Sequence, residues 1–292
     1  MLQKGLVINI ISNLFIVEVN NKIYECTSRG KFRKEEILPV VGDIVDIDIS
    51  SDEKGVISNV YDRTTYIKRP KIANVSQILL VVSSKNPKPD LLMLDKQLCF
   101  AKYVNVKPII IINKIDLDNE TAEKVEKIYA SIGYKVIKTN AKTGEGIEEI
   151  KKLLSDNISV FSGNSGVGKS TTINSILGNN ITLEGEISKK NKKGKNTTTH
   201  TKLYKIEDNS YIADTPGFST FDIYEIESKD LGKYFIEFGR DLNSCEYLDC
   251  KHIKEDKCKI KEKVAENEID SGRYDRFCKI YEELKDKEAH KW

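Results

Sequence analysis

The first seventy residues alternate apolar and polar positions over short runs, Leu14 to Val19, Lys22 to Cys26, Asp43 to Ile49 and Gly55 to Tyr61, with turn signals at Asn20-Asn21 and from Asp52 to Gly55. A period of two over runs this short buries one face of each strand, and several such strands in a row predict a small all-β barrel. Leu6, Val7, Ile8, Ile10 and Ile11, broken by Asn9, Ser12 and Asn13, read as a further strand; no small-residue cleavage site follows, so they do not read as a signal peptide. From about residue 75 the texture changes. Apolar runs at 77–83, 107–112, 135–139 and 158–162 alternate with helical stretches near 90–104, 119–132, 145–155 and 168–178, which predicts a mostly parallel sheet with crossover helices. Residues 201–213 read as a hairpin turning at Asp208-Asn209, an antiparallel edge to that sheet. The stretch 186–200 has almost no apolar residues and five lysines between Lys189 and Lys195, so it is expected to be mobile without a ligand. After about 222 the chain is polar and helical, and no internal repeat is present.

With 292 residues the chain has room for about two or three domains, each with its own core. Its net charge of +2 implies neither a basic nucleic-acid coat nor an acidic tail, so any nucleic-acid contact must use local patches. The candidates are Arg29, Lys31, Arg33 and Lys34 in the β region, Lys68, Arg69 and Lys71 after it, and Lys189 to Lys195. The longest apolar runs, Ile78 to Val82 and Ile109 to Ile112, fall far short of the ~20 residues of a membrane span, and a cytoplasmic protein is expected. Of six cysteines, Cys26 and Cys99 stand singly while Cys245, Cys250 and Cys258 cluster, which in a reducing compartment favours a metal over disulfides.

Gly163-Asn164-Ser165-Gly166-Val167-Gly168-Lys169-Ser170 matches G-x-x-x-x-G-K-[ST] between a strand and a helix opening at Lys169. Glycines let backbone N–H groups turn inward around phosphates, and the helix N-terminus adds partial positive charge. Lys169 is placed to meet the β- and γ-phosphates, Ser170 to offer its hydroxyl to Mg²⁺, and Thr171 to extend the phosphate contacts. The loop alone does not separate ATP from GTP. Asn113-Lys114-Ile115-Asp116, after the strand Pro108 to Ile112, reads as N-K-x-D: Asp116 can accept from the two donors on the Watson–Crick edge of guanine, a pair adenine lacks. Asn113 is expected to tie this loop to the phosphate loop, and the Lys114 stem to cover the base. Ala141-Lys142, within Thr139 to Gly144, is similar to the S-A-K loop that meets the guanine O6. Asp214-Thr215-Pro216-Gly217 reads as D-x-x-G, with Asp214 toward Mg²⁺ through water and the Gly217 N–H toward the γ-phosphate. One of Thr197, Thr198 and Thr199 completes the Mg²⁺ shell. The motif order is the unusual feature: N-K-x-D and the S-A-K-like loop precede the phosphate loop, which predicts a circularly permuted GTPase.

Cys245, Cys250, His252 and Cys258 form C-x₄-C-x-H-x₅-C, a ligand set suited to one closed, tetrahedral, structural Zn²⁺ in a segment with little apolar material; Cys278 is a less favoured substitute. His200 and His290 read as solvated.

The permuted order, Gly163 to Ser170, Asp214 to Phe218, the Cys/His spacing, Arg29-Gly30-Lys31-Phe32-Arg33-Lys34, Val41-Gly42-Asp43, Arg69-Pro70 and Ala73-Asn74-Val75 together resemble the bacterial RsgA (YjeQ/YloQ) family over nearly the whole chain. The resemblance implies an OB-fold at 1–70, a permuted GTPase domain at 71–222 and a mainly helical zinc domain at 223–292. It also implies a weak GTPase, stimulated by the small ribosomal subunit, that acts in late maturation of that subunit with its rRNA as partner. A monomer off the membrane, with GTP/GDP, Mg²⁺ and one Zn²⁺, is expected. Asn196 departs from the family's histidine before the threonine run, and Phe218 replaces the glutamine that orients water in Ras-type proteins; catalysis is therefore expected to need the subunit to order residues 194–200. An RNA-binding protein with a vestigial pocket, or a signalling GTPase, are the competing readings.

Overall fold

The computed structural model describes residues 2–29, 38–51, 53–178, 201–214, 223 and 225–290. These fall into two compact units that interleave along the chain, Met1–Leu79 with Ala141–Ser162 and Gly168–Ser219, and Leu80–Asn140 with Gly163–Val167 and Thr220–Trp292.

In the first unit five strands form a closed barrel: β1 (Leu2–Ile11), β2 (Leu14–Val19), β3 (Lys22–Ser28), β4 (Ile44–Ser51) and β5 (Lys54–Val60). They run in the order β1-β2-β3-β5-β4, and β4 closes the ring by pairing antiparallel with β1 from Leu2↔Asp48 to Leu6↔Ile44. The alternation seen in the sequence puts Val7, Phe15, Val17, Val19, Cys26, Val45, Ile47 and Ile57 inside. Burial in this apolar interior pushes the Cys26 thiol up to about 11, so it behaves as a small hydrophobe. The exit from the barrel is pinned by polar groups. Fully buried Asp43 accepts from the Val40 N–H at 2.7 Å and from Arg63 Nε at 2.8 Å, and Asn74 Nδ2 donates to the Gly42 carbonyl at 2.8 Å. Gly42 has φ +89, and a Cβ there would lie 2.0 Å from the Ala73 carbonyl oxygen, so no other residue fits. The hairpin that follows, β6 (Tyr66–Lys68) with β7 (Lys71–Ala73), has no signature in the hydrophobic pattern because its strands are three residues long.

The unit continues through α3 (Ile147–Leu154), β11 (Ile158–Ser162), α4 (Lys169–Leu177), β12 (Lys202–Glu207) and β13 (Ser210–Asp214). Helix α3 starts later than its apolar pattern suggests because Gly144 and Gly146 both take positive φ in the preceding turn. β11 pairs parallel with β13, β13 antiparallel with β12, and β12 meets β1 at Asn9↔Lys202. Lys205 Nζ lies 2.6 Å from the buried Glu18 Oε1, a second tie between hairpin and barrel.

Strand β8 (Gln77–Ser83) begins in the first unit and ends in the second, where it joins β9 (Lys107–Asn113) and β10 (Lys135–Thr139) in the order β10-β9-β8. β9 and β10 are parallel, and Ile109 to Ile112 are all fully buried, which accounts for the unbroken apolar run. Helices α1 (Leu91–Tyr103) and α2 (Asn119–Ser131) start at aspartate caps: Asp90 accepts from the Met93 N–H and Asp118 from the Thr121 N–H, each at 3.0 Å. The C-terminal part has two 3₁₀ segments, Ser228–Tyr234 and Gly239–Asn243, then α5 (Lys259–Ala265) and α6 (Ser271–Ala289). It has more of a core than its composition suggests. Phe235, Phe238 and Phe277 are buried and pack edge to face, with ring centroids 5.0 Å apart for Phe235–Phe277 and 4.8 Å for Phe238–Phe277.

Candidate functional site

Within the second unit the end of β9 and the loop Gly163 to Val167 are tied together by side chains that donate to backbone carbonyls. Asn113 is buried; its Nδ2 donates to the Val167 carbonyl at 2.9 Å while its Oδ1 accepts from Thr139 Oγ1 at 3.2 Å. Both ends of the amide are thereby used, as burial requires. Lys114 takes positive φ, which turns its side chain back so that Nζ donates to the Gly166 carbonyl at 2.6 Å and to that of Asn86. The Lys114 carbonyl in turn accepts from Ser84 Oγ at 2.6 Å. Asp116 lies exposed in the next turn, unconsumed by the scaffold, where a carboxylate can meet an incoming donor pair.

The phosphate-loop sequence starts at a point of close approach. Gly163 has φ +143, and a Cβ would fall 2.1 Å from the Val81 carbonyl oxygen. Asn164 Nδ2 donates to Asp90 Oδ2 at 3.2 Å, Ser165 and Gly166 are exposed, and Val167 is buried. In the first unit Gly168 precedes α4, with Ser170 and Thr171 exposed on its opening turn and Thr172 Oγ1 donating back to the Gly168 carbonyl at 3.0 Å. Lys169 is half-buried, and burial lowers its pKa. Ala141 is buried and its carbonyl accepts from Ser175 Oγ at 3.0 Å; Lys142 is exposed. Asp214 ends β13, opposite Lys202 of β12. Thr198, Thr199 and Gly217 lie outside the described residues, as do Thr197, Asn196, Phe218, His200 and the lysines from Lys189 to Lys195.

The second cluster is Cys245, Cys250, His252 and Cys258, whose ligand atoms all lie within 4.8 Å of one another. The three sulfurs sit 3.5, 3.6 and 3.4 Å from His252 Nδ1, and the Cys245 and Cys258 sulfurs are 3.9 Å apart. Zinc bonds of ~2.3 Å to sulfur and ~2.0 Å to nitrogen in a tetrahedron imply about 3.5 Å between S and N and about 3.8 Å between sulfurs, so the donor set fits the ion. Backbone and neighbours hold it: the Lys259 N–H donates to Cys245 Sγ at 3.3 Å, Tyr274 Oη to the His252 carbonyl at 2.8 Å, and the Phe238 ring lies edge-on to His252 at 5.8 Å. Cys278 is on α6 and does not belong to the four-ligand group; its hydroxyl neighbour is Tyr274. Glu255 accepts from the Lys251, Ile253 and Lys254 N–H groups; burial opposes its ionisation, yet these bonds pull it down to about 2. His290, exposed near the end of α6, takes no part in the cluster.

The exposed basic residues Arg29, Lys68, Arg69 and Lys71 lie in the first unit, whereas Lys31, Arg33 and Lys34 are outside the described residues. Among the described residues no helix is long and apolar enough to cross a membrane. Sequence reasoning missed Thr139, Ser84 and Asn86, which complete the ties around Asn113 and Lys114. The contacts of Ser84 and Asn86 depend on how the chain turns after β8, and no spacing rule encodes that.

A closed five-stranded barrel, a sheet on which the N-K-x-D motif precedes the P-loop motif along the chain, and a Cys₃His cluster compatible with zinc define a circularly permuted P-loop GTPase with two accessory modules. The family models described as RsgA N-terminal domain and RsgA GTPase match residues 4–57 and 60–224. The chain is 40% identical over 293 residues to the small ribosomal subunit biogenesis GTPase RsgA of Clostridium botulinum (strain Kyoto / Type A2), covering 99% of this chain and 100% of the relative. It is 39% identical over 289 residues to the protein of that name in Ruminiclostridium cellulolyticum, covering 98% and 95%. Among solved structures, YjeQ from Thermotoga maritima superposes with TM-score 0.87 at 36% identity, covering 97% of this chain and 99% of that one. YloQ, described as a circularly permuted GTPase, gives 0.83 at 31%, covering 98% and 96%. The chain belongs to the RsgA GTPase family.

Proposed function

We propose that this GTPase binds the small ribosomal subunit and acts in its late maturation, hydrolysing GTP to GDP and phosphate as a docking and release switch. The full-length relatives carry small ribosomal subunit biogenesis in their name. The observation that carries the nucleotide reading is the pair of side-chain ties from Asn113 and Lys114 to the Val167 and Gly166 carbonyls, which brings a base-reading loop against a phosphate-binding loop. Asp116 reads guanine, with Ala141 and Lys142 at its O6 edge; Gly163 to Thr171 cradle the phosphates, and Lys169 compensates their charge. Ser170 and Asp214, with Thr198 or Thr199, would hold Mg²⁺, which when bound neutralises charge on the β- and γ-phosphates. Gly217 would sense the γ-phosphate. Cys245, Cys250, His252 and Cys258 would hold one structural Zn²⁺ that leaves no position for a reacting water.

In this reading residues 1–70 form an RNA-binding module, 71–222 the GTPase domain and 223–292 the zinc module; rRNA is the contacted surface, and the protein works as a cytoplasmic monomer. Asn196 and Phe218 supply no obvious group to orient the attacking water, so hydrolysis by the isolated protein is slow and the subunit accelerates it. GTP turnover measured across a titration of small ribosomal subunits tests this: saturable stimulation is expected, and full-rate hydrolysis without subunits refutes it. Base selectivity has a separate test. Asp116→Asn exchanges an acceptor pair for one donor and one acceptor, so GTP is weakened and xanthosine nucleotides are favoured; unchanged GTP affinity removes Asp116 from the site.

A further inference from the structure

Helix α1 touches the phosphate loop at one end and the C-terminal module at its middle. At its start, Asp90 divides its carboxylate between two tasks: Oδ1 caps the helix by accepting from the Met93 N–H at 3.0 Å, and Oδ2 accepts from Asn164 Nδ2 at 3.2 Å. Five residues on, Asp95 is fully buried. It accepts from Tyr129 Oη at 2.6 Å, Arg273 Nη1 at 2.5 Å and Arg276 Nε at 2.5 Å, the two arginines both coming from α6. Arg273, itself 1% exposed, also pairs with Glu237, and its guanidinium lies 4.8 Å from the Phe235 ring centroid. Lys96 and Glu283 add an outer ion pair between the same two helices. A buried carboxylate gripped by two arginines has no low-energy alternative position, so α1 is fixed to α6 in rotation and translation. Asp90 inherits that fixed position.

We infer that Asp90 is a positioning residue for the phosphate loop, held in register by the Asp95–Arg273–Arg276 lock, so that the C-terminal module sets the readiness of the phosphate loop through α1. This rests on the nucleotide reading above. Two effects of the Asp90 charge oppose each other: it repels an incoming polyphosphate, weakly because the group is exposed to water, and it orders the loop that must receive that polyphosphate. The inference is that ordering wins. It also explains why Asp90 is an aspartate when serine would cap α1 as well: serine has a single oxygen and does not span both the cap and Asn164.

The test uses the full-length, metal-loaded protein with fluorescent GDP and GTP analogues. Asp90→Ser keeps the cap and removes the Asn164 contact; it is expected to weaken both nucleotides about fivefold, raise KM with kcat within about twofold, and leave the melting temperature in place. Asp90→Ala loses the cap as well, so its melting temperature falls while its affinity matches that of Asp90→Ser. Arg276→Gln, far from the phosphates, is expected to weaken nucleotide binding in the wild-type background and to add nothing in the Asp90→Ser background. Unchanged or tighter binding in Asp90→Ser, or additive effects of the two substitutions, overturns the inference. If Asp90→Ser is too unstable to assay, protection of the 163–167 amides from exchange in Asn164→Ala, which removes the same contact, with and without Arg276→Gln decides it by the same additivity criterion. Failure of the wild-type protein to bind guanine nucleotide would instead refute the nucleotide reading itself.

Discussion

Asn113 and His252 are both buried polar side chains, 2% and 3% exposed, and their needs are met in different ways. Asn113 has protein partners on both sides of its amide, so protein hydrogen bonds set the geometry between the two loops it joins. His252 faces three sulfurs through one nitrogen, and burial raises the thiols of Cys250, to about 12, and Cys258 while lowering the imidazole pKa. A cation at the centre of that cluster would favour ionised thiols and turn the crowding of the four donors into coordination. The first region is therefore organised by protein hydrogen bonds, whereas the second has a donor set that a zinc ion would complete. In a switch protein this division is sensible, since the nucleotide must come and go while a structural metal would stay.

The contrast can be broken at several points. Cys258→Ser should release the ion and cost on the order of 5 kcal/mol, seen as loss of bound zinc and a collapse of the C-terminal unfolding transition. Stoichiometric zinc with unaltered melting would mean the cluster is not what orders this module. Asn113→Ala should cost about 2 kcal/mol, because the Val167 carbonyl and the Thr139 hydroxyl both lose a buried partner. Nucleotide affinity should drop about tenfold or more, with zinc content constant; the two readouts together separate the regions. Lys114→Met retains the apolar stem and removes the bonds to the Gly166 and Asn86 carbonyls, at about 1 kcal/mol, read as faster amide exchange over residues 163–167.

The smallest effect concerns pH. Burial holds the Lys169 pKa below its ordinary value in the ligand-free fold, while phosphate oxygens favour the cation and move it back up. Between those two values nucleotide binding takes up a proton, so affinity declines as alkaline pH rises through the lowered pKa. The unfolded chain binds more protons than the ligand-free fold in the same window, and stability of that fold accordingly rises with pH there. Calorimetry in buffers of different ionisation enthalpy reads the uptake, and a buffer-independent heat up to the ordinary lysine pKa would contradict it.

How much of this was written in the sequence varies by residue. The period-two runs from Leu14 to Tyr61 disclosed the barrel strands, because there burial and side-chain alternation share a period, and the solid runs at 77–83 and 107–112 disclosed strands buried on both faces, because turn signals bound them at strand length. The C-x₄-C-x-H-x₅-C spacing foretold a cluster, since a short loop leaves ligands little freedom to separate. Asp95 and Arg273 were invisible: each is a single charged residue in a helix, which ordinarily faces water, and the pair is 178 positions apart. The lock between α1 and α6 exists only in the tertiary structure. The Phe235, Phe238 and Phe277 core was hidden for the same reason, its members being scattered through a polar segment.

The pairing of β12 with β1 has a consequence beyond holding two modules together. Strand β12 is the outer member of its hairpin, and an outer strand with bare amides and carbonyls is a template on which other chains stack into aggregates. The barrel covers part of that template with its own first strand, serving as a built-in guard against self-association. A shortened protein that lacked the barrel would therefore be compromised in solubility before any question of RNA contact arose.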